Sequence, residues 1–126
     1  MSVRHVLLID DEASIRTLAK ASLELTRKWN VITVASGQEG IAIAQTYQPD
    51  AILLDSKMPK MDGLLTLKAL KADTTTQNIP VILLTATTKV ATQQEYAQLG
   101  ARAVIVKPFD PANLATQIEA ALHWET

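Results

Sequence analysis

The sequence predicts an α/β fold in which a five-stranded parallel sheet is covered by helices on both faces. Three observations lead there. Five short apolar runs alternate with longer segments of helical period, the pattern of successive βαβ units. The runs are close to unbroken in apolar residues, as in strands buried on both sides, where a half-exposed strand would alternate. Finally, four of the five runs end on a polar, chemically capable side chain, which in a parallel sheet brings those side chains to one edge.

In chain order, the strands are predicted over His5 to Ile9, Val31 to Ala35, Ala51 to Leu54, Val81 to Leu84 and Ala103 to Val106. The first helix carries Ile15, Leu18, Ala19, Ser22 and Leu25 as its buried stripe, and the third carries Leu64, Leu67 and Leu70. Ser36-Gly37-Gln38-Glu39 has the spacing of a capping box and starts the second helix. Gly100 follows Leu99 where a left-handed cap ends the fourth. Asp110-Pro111 offers an N-cap with proline at the first position of the last helix, whose inner face is Leu114, Ile118, Ala121 and Leu122. No linker, repeat or low-complexity tract interrupts the pattern, so residues 1–126 are expected to form a single domain with no output domain attached.

Composition narrows the function classes. With 126 residues, 48% of them hydrophobic, the chain can bury its own core without staples. A net charge of −1 gives no bulk attraction to nucleic acid or to an anionic membrane. The absence of cysteine excludes disulfides, thiolate chemistry and cysteine-bound zinc. Neither a signal-peptide pattern nor an apolar run near the roughly 18 residues of a membrane span occurs, so the expected address is cytoplasmic.

Chemistry is concentrated at the strand ends. The first run leads into Asp10-Asp11-Glu12, the third stops on Asp55, the fourth on Thr85-Ala86-Thr87 and the fifth on Lys107-Pro108. Carboxylates gathered in one crevice repel by roughly 4 kcal/mol per pair at 4 Å in an effective dielectric of 20. Either a cation binds there or one acid stays protonated. Hard oxygen ligands beside a phosphate-pairing lysine suit Mg²⁺. Such a group is equipped to receive a phosphoryl group, since that transfer rests on positioning and charge neutralisation.

Over nearly its whole length the chain resembles the receiver domain of two-component response regulators. The resemblance rests on Asp10-Asp11, on Asp55 within Leu53-Leu54-Asp55-Ser56-Lys57-Met58-Pro59-Lys60-Met61-Asp62-Gly63, on Thr85-Ala86 and on Lys107-Pro108-Phe109. It implies a flavodoxin-like (βα)5 sandwich with strand order 2-1-3-4-5. It further implies that Asp55 is the phosphoacceptor, and that Asp10, Asp11, Asp55 and the backbone carbonyl of Lys57 hold Mg²⁺. Lys107 would pair with Asp55 at rest and with a phosphoryl oxygen afterwards, across a cis bond to Pro108. Thr85 would swing its hydroxyl to the phosphoryl group and carry the following loop with it. The donor would be a phosphohistidine on a histidine kinase or histidine phosphotransfer protein, and the output a contact with a downstream target protein, with neither nucleic acid nor membrane as partner. The resemblance also implies a monomer or a phosphorylation-dependent dimer, and a stand-alone signalling protein that assists only its own phosphorylation and dephosphorylation, not an enzyme with an external product. One departure is clear: the family's usual aromatic three residues before the lysine is Val104 here.

Rival readings meet specific objections. A flavodoxin-like nucleotide or flavin binder needs a Gly/Ser/Thr-rich phosphate loop after the first strand, where Asp10-Asp11-Glu12 stands. A phosphohydrolase of the haloacid dehalogenase type places a second acid two residues after the nucleophile, where Lys57 stands. A docking module that works without phosphorylation would have no need of the complete acid, threonine and lysine set. His5 and His123 are expected to be structural, Trp29 and Trp124 to pack on the core, and Lys57, Lys60, Lys68 and Lys71 to form a solvated face or to offset the acidic site.

Overall fold

All five apolar runs are strands in the computed structural model, which describes residues 3–58 and 62–124. They are β1 (His5–Ile9), β2 (Asn30–Val34), β3 (Ala51–Asp55), β4 (Val81–Thr85) and β5 (Ala103–Val106), paired in parallel in the order β2-β1-β3-β4-β5. Helices α1 (Ala13–Arg27), α2 (Gly37–Tyr47), α3 (Gly63–Ala72), α4 (Val90–Gln98) and α5 (Leu114–Leu122) alternate with them. β2 starts one residue earlier than expected, because the Asn30 amide already donates to the Arg4 carbonyl at 2.9 Å.

The two-residue alternation of the strands sorts the core into two layers. Val6, Leu8, Ala51, Leu53, Ile82 and Leu84 face one side with α1 and α5 residues such as Ala19, Leu23, Leu114 and Ile118. Leu7, Ile9, Ile52, Leu54, Val81 and Leu83 face the other, with Ala44, Leu67, Leu70 and Tyr96 from α2, α3 and α4. β3 and β4 are buried along their full length, as expected of central strands. Val104 packs on the second layer, and Trp29 meets Trp124 edge-on at 5.3 Å within the first.

Several local expectations need correction. On α1, Leu18 is 44% and Leu25 81% exposed, and Leu23 is buried in their place. The helix has two apolar stripes, and the sheet takes the one through Ala19 and Leu23. Ser22 is half-buried, its hydroxyl donating to the Pro111 carbonyl. The α2 capping box is half made: the Glu39 amide donates to Ser36 Oγ, but the Glu39 carboxylate accepts from that same hydroxyl. Asp110 caps a 3₁₀ turn, Pro111–Asn113, and α5 follows only at Leu114. Lys71 does not serve the acidic site: its ammonium donates to the carbonyls of Gln77 and Ile79, and burial lowers its pKa with help from Arg102. Lys57 and Lys68 are exposed, whereas Pro59, Lys60 and Met61 lie outside the described residues.

Gly100 adopts φ 109°, the left-handed cap expected after α4. Among the described residues, no helix is long and apolar enough to cross a membrane. His5 is held in place by its fold neighbours, with Nδ1 2.8 Å from the Tyr47 hydroxyl, and His123 caps α5.

Candidate functional site

The strand order reverses between β1 and β3, and the crevice at their carboxyl ends is where an open α/β sheet binds ligands. Asp10 and Asp11 leave β1 there, and Asp55 is the last residue of β3. Carboxylate oxygens of Asp10, Asp11 and Asp55 all lie within 4.8 Å of one another. Asp10 is fully buried and Asp55 nearly so, while Asp11 is exposed. Residues 45 positions apart in the chain thus share one acidic site.

Lys107 arrives from the end of β5, across the cis bond to Pro108. Its ammonium lies 3.1 Å from Asp10 Oδ2, 3.3 Å from Asp55 Oδ1 and 3.9 Å from Glu12 Oε1. The expected pairing with Asp55 is present, and Asp10 shares the same ammonium. Burial by itself would lower the Lys107 pKa, but the hydrogen bond to Asp10 and the charges of Asp10 and Asp55 outweigh it, so the lysine is held above its ordinary value.

Asp55 is pushed the other way for a carboxylate. Burial raises its pKa above 3.8, the negative charge of Asp10 adds to this, and Lys107 and the Lys57 amide only partly offset it. That amide donates to Asp55 Oδ1 at 3.3 Å, so the chain after β3 folds back over the carboxylate. Thr85 ends β4, one residue beyond the Asp55–Leu84 register pair. Its Oγ accepts from the Thr87 amide at 3.2 Å, which ties the hydroxyl to its own loop at rest. A cleft of about 260 Å³ beside it is bounded by Ser56, Lys57, Thr85, Thr87, Lys89 and Tyr96.

The raised pKa has a consequence for stability. A folded-state value above the unfolded one means that ionising Asp55 opposes folding, so its favourable contribution is present at acid pH and lost as pH rises through the folded value. Asp55→Asn is therefore expected to stabilise the metal-free protein at neutral pH by about 1 kcal/mol, roughly 3–6 °C in Tm. The gain should shrink at acid pH, as the parent carboxylate protonates. Melting curves at the two pH values test this, and a variant no more stable than the parent at pH 7 would contradict it.

The donor set fits a small hard cation. Three carboxylates with oxygens within 4.8 Å of one another are the hard donors that Mg²⁺ prefers, and Asp10, Asp11 and Asp55 would hold it. No hydrogen bond among the described residues engages the Asp11 carboxylate, which leaves it free to ligate. When bound, Mg²⁺ would supply positive charge against the three acids and the oxygens of an incoming phosphate.

Sequence reasoning passed over Arg16 at this site and quoted Gly63 in the motif after Asp55 without giving it a role. Arg16 donates from Nη1 to the Asp10 carbonyl at 2.9 Å. Its only sequence signal is a cation near the start of a helix, the end that disfavours it. Gly63 starts α3 directly against Asp55: a Cβ there would lie 2.0 Å from the Asp55 carbonyl oxygen.

The family model of the response regulator receiver domain matches residues 6–119. This chain belongs to that family. Among solved receivers, the chemotaxis response regulator CheY4 of Vibrio cholerae superposes with a TM-score of 0.89 at 32% identity, over 95% of this chain and 99% of that one. The receiver domain of the sensor histidine kinase PA1611 from Pseudomonas aeruginosa, described with a magnesium ion coordinated in its active-site cleft, matches at TM-score 0.84 and 26% identity, over 97% of this chain and 99% of that one. A DNA-binding dual master transcriptional regulator, RpaA of a Synechocystis strain, is 34% identical over 94% of this chain and 48% of its own length. This receiver spans about half the length of the curated relatives it matches.

Proposed function

We propose that residues 1–126 act as one phosphoacceptor unit in which Asp55 takes a phosphoryl group from a phosphohistidine of a sensor kinase or phosphotransfer protein. The observation that carries this is the meeting of Asp10, Asp11 and Asp55 with the Lys107 ammonium in one crevice. An Asp55 oxygen attacks phosphorus, the P–N bond breaks, and the imidazole leaves with the electron pair. Lys107 orients the nucleophile beforehand and pairs with a phosphoryl oxygen afterwards. Asp10, Asp11, Asp55 and the Lys57 carbonyl are the proposed Mg²⁺ ligands, in keeping with the ion described in the PA1611 receiver.

Thr85 exchanges the Thr87 amide for a phosphoryl oxygen, which pulls on the loop before α4 and changes the surface offered to a target protein. With Val104 where an aromatic is usual, the movement passes through that loop without a ring at the β5 position. The name transcriptional regulator belongs to relatives about twice as long. For the receiver unit itself we propose readout by protein contact in the cytoplasm, with no catalysis beyond its own phosphorylation and dephosphorylation.

Incubation with acetyl phosphate and Mg²⁺, followed by intact mass measurement, tests the assignment. One phosphoryl group per chain is expected, lost on chelation of Mg²⁺ and in Asp55→Asn. Equal labelling of that variant would move the acceptor elsewhere.

A further inference from the structure

We infer that Arg16 is a positioning residue for the cation site, a role that rests on the Mg²⁺ reading above. Asp10 has every polar group engaged. Its amide donates to the Val34 carbonyl at 3.1 Å, Oδ1 accepts from the Glu12 amide at 2.9 Å, Oδ2 accepts from Lys107, and the carbonyl accepts from Arg16 Nη1 at 2.9 Å. The first contact belongs to the sheet and the next two fix the side chain. Among the described residues, only the Arg16 bond ties the peptide between Asp10 and Asp11 to the helix that follows. That peptide sets the direction in which Asp11 leaves β1, and Asp11 is the acid that no other contact restrains among the described residues.

The guanidinium is not there to balance a carboxylate. Among the described residues, no acid lies within ion-pair distance of Arg16, although the acidic site begins at its hydrogen-bond partner. The side chain borders a cleft of about 330 Å³ lined by α1 residues and Thr33 of β2, and its guanidinium reaches across to the Asp10 carbonyl. A cation in this place has opposite effects on Mg²⁺. Its charge repels the ion, while its hydrogen bond holds the ligand-bearing turn in place. The inference is that the second effect dominates, as is usual for groups that orient metal ligands.

Calorimetric titration of the full chain with MgCl₂ separates the two. Arg16→Ala is expected to weaken Mg²⁺ binding about tenfold. Arg16→Lys, which keeps one donor and the charge, should recover most of the loss, whereas Arg16→Met, which keeps the length alone, should not. Lys20→Ala is the structural control: Lys20 makes a similar contact to the Val31 carbonyl one turn along, pairs with Glu24 and touches none of the three aspartates, so its loss should leave Mg²⁺ affinity unchanged. Binding by Arg16→Ala as tight as the parent's, or tighter, overturns the inference while leaving the metal reading intact. Should Arg16→Ala fail to fold, the comparison of Arg16→Met with Arg16→Lys decides in its place, equal affinities overturning the inference. A parent that binds no Mg²⁺ overturns the metal reading, and this inference with it.

Discussion

Gly63→Ala is expected to lower the melting midpoint by about 10 °C, corresponding to about 3 kcal/mol, and to slow phosphoryl labelling of Asp55 by up to about 100-fold. The added methyl would stand 2.0 Å from the Asp55 carbonyl oxygen, 2.6 Å from Ser56 Cα and 2.8 Å from the Asp55 carbonyl carbon. All three are backbone atoms, so no side-chain rotation relieves the overlap. Either α3 retreats from the sheet or the end of β3 bends away from α3. The first breaks the packing of Leu67 and Leu70, and the second moves Asp55 relative to Lys107. Gly40→Ala is the informative contrast, because the three atoms nearest its methyl all belong to the Ile9 side chain and none to backbone. Melting curves and labelling rates measured side by side give the result. A Gly63→Ala protein with parental stability and labelling would show that the α3 start is not fixed against Asp55.

Glu119→Ala is expected to cost about 1–3 kcal/mol, because it removes the buried half of an ion pair whose other half, Arg27, keeps 28% side-chain exposure and can regain water. Glu119 is 5% exposed on α5, and its two oxygens accept from Arg27 Nε at 3.0 Å and Nη2 at 2.9 Å, the two-point geometry that makes such pairs strong. The pair joins α1 to α5 across the layer that supports both Asp10 and Lys107. Hydrogen bonding to Glu119 raises the Arg27 pKa above its ordinary value, so the arginine stays charged and its stabilising effect is lost only at pH beyond the working range. Arg27→Ala should behave differently. It strands the more buried half of the pair, so its deficit should be the larger. The double replacement Arg27→Met with Glu119→Leu removes both charges and should recover most of the stability lost in either single variant. Denaturant unfolding at pH 7 measures the parent and the three variants, and additive losses in the double variant would refute the coupling.

Much of this was legible in the order of residues. Unbroken apolar runs at β3 and β4 can be accommodated only by burial on both faces, and a chain alternating such runs with helices has few ways to provide it. The strand ends followed, and with them the crevice to which Asp10, Asp11, Asp55 and Lys107 belong. The resemblance to receivers supplied the strand order and the cis bond before Pro108, both of which the structure contains.

The sequence by itself therefore determined the layers, the edge of the sheet that carries the chemistry, and the acids that gather there, because each depends on period and on position within an element. Only the tertiary structure decided which stripe of α1 turns inward, since Ala19 with Leu23 and Leu18 with Leu25 are both helical repeats and the difference lies in what α5 and the sheet offer opposite them. It alone decided that Lys107 is shared between Asp10 and Asp55, that Arg16 reaches back to the Asp10 carbonyl, and that Gly63 closes on Asp55. Contacts of that kind depend on distances between elements far apart in the chain, and no local pattern encodes them.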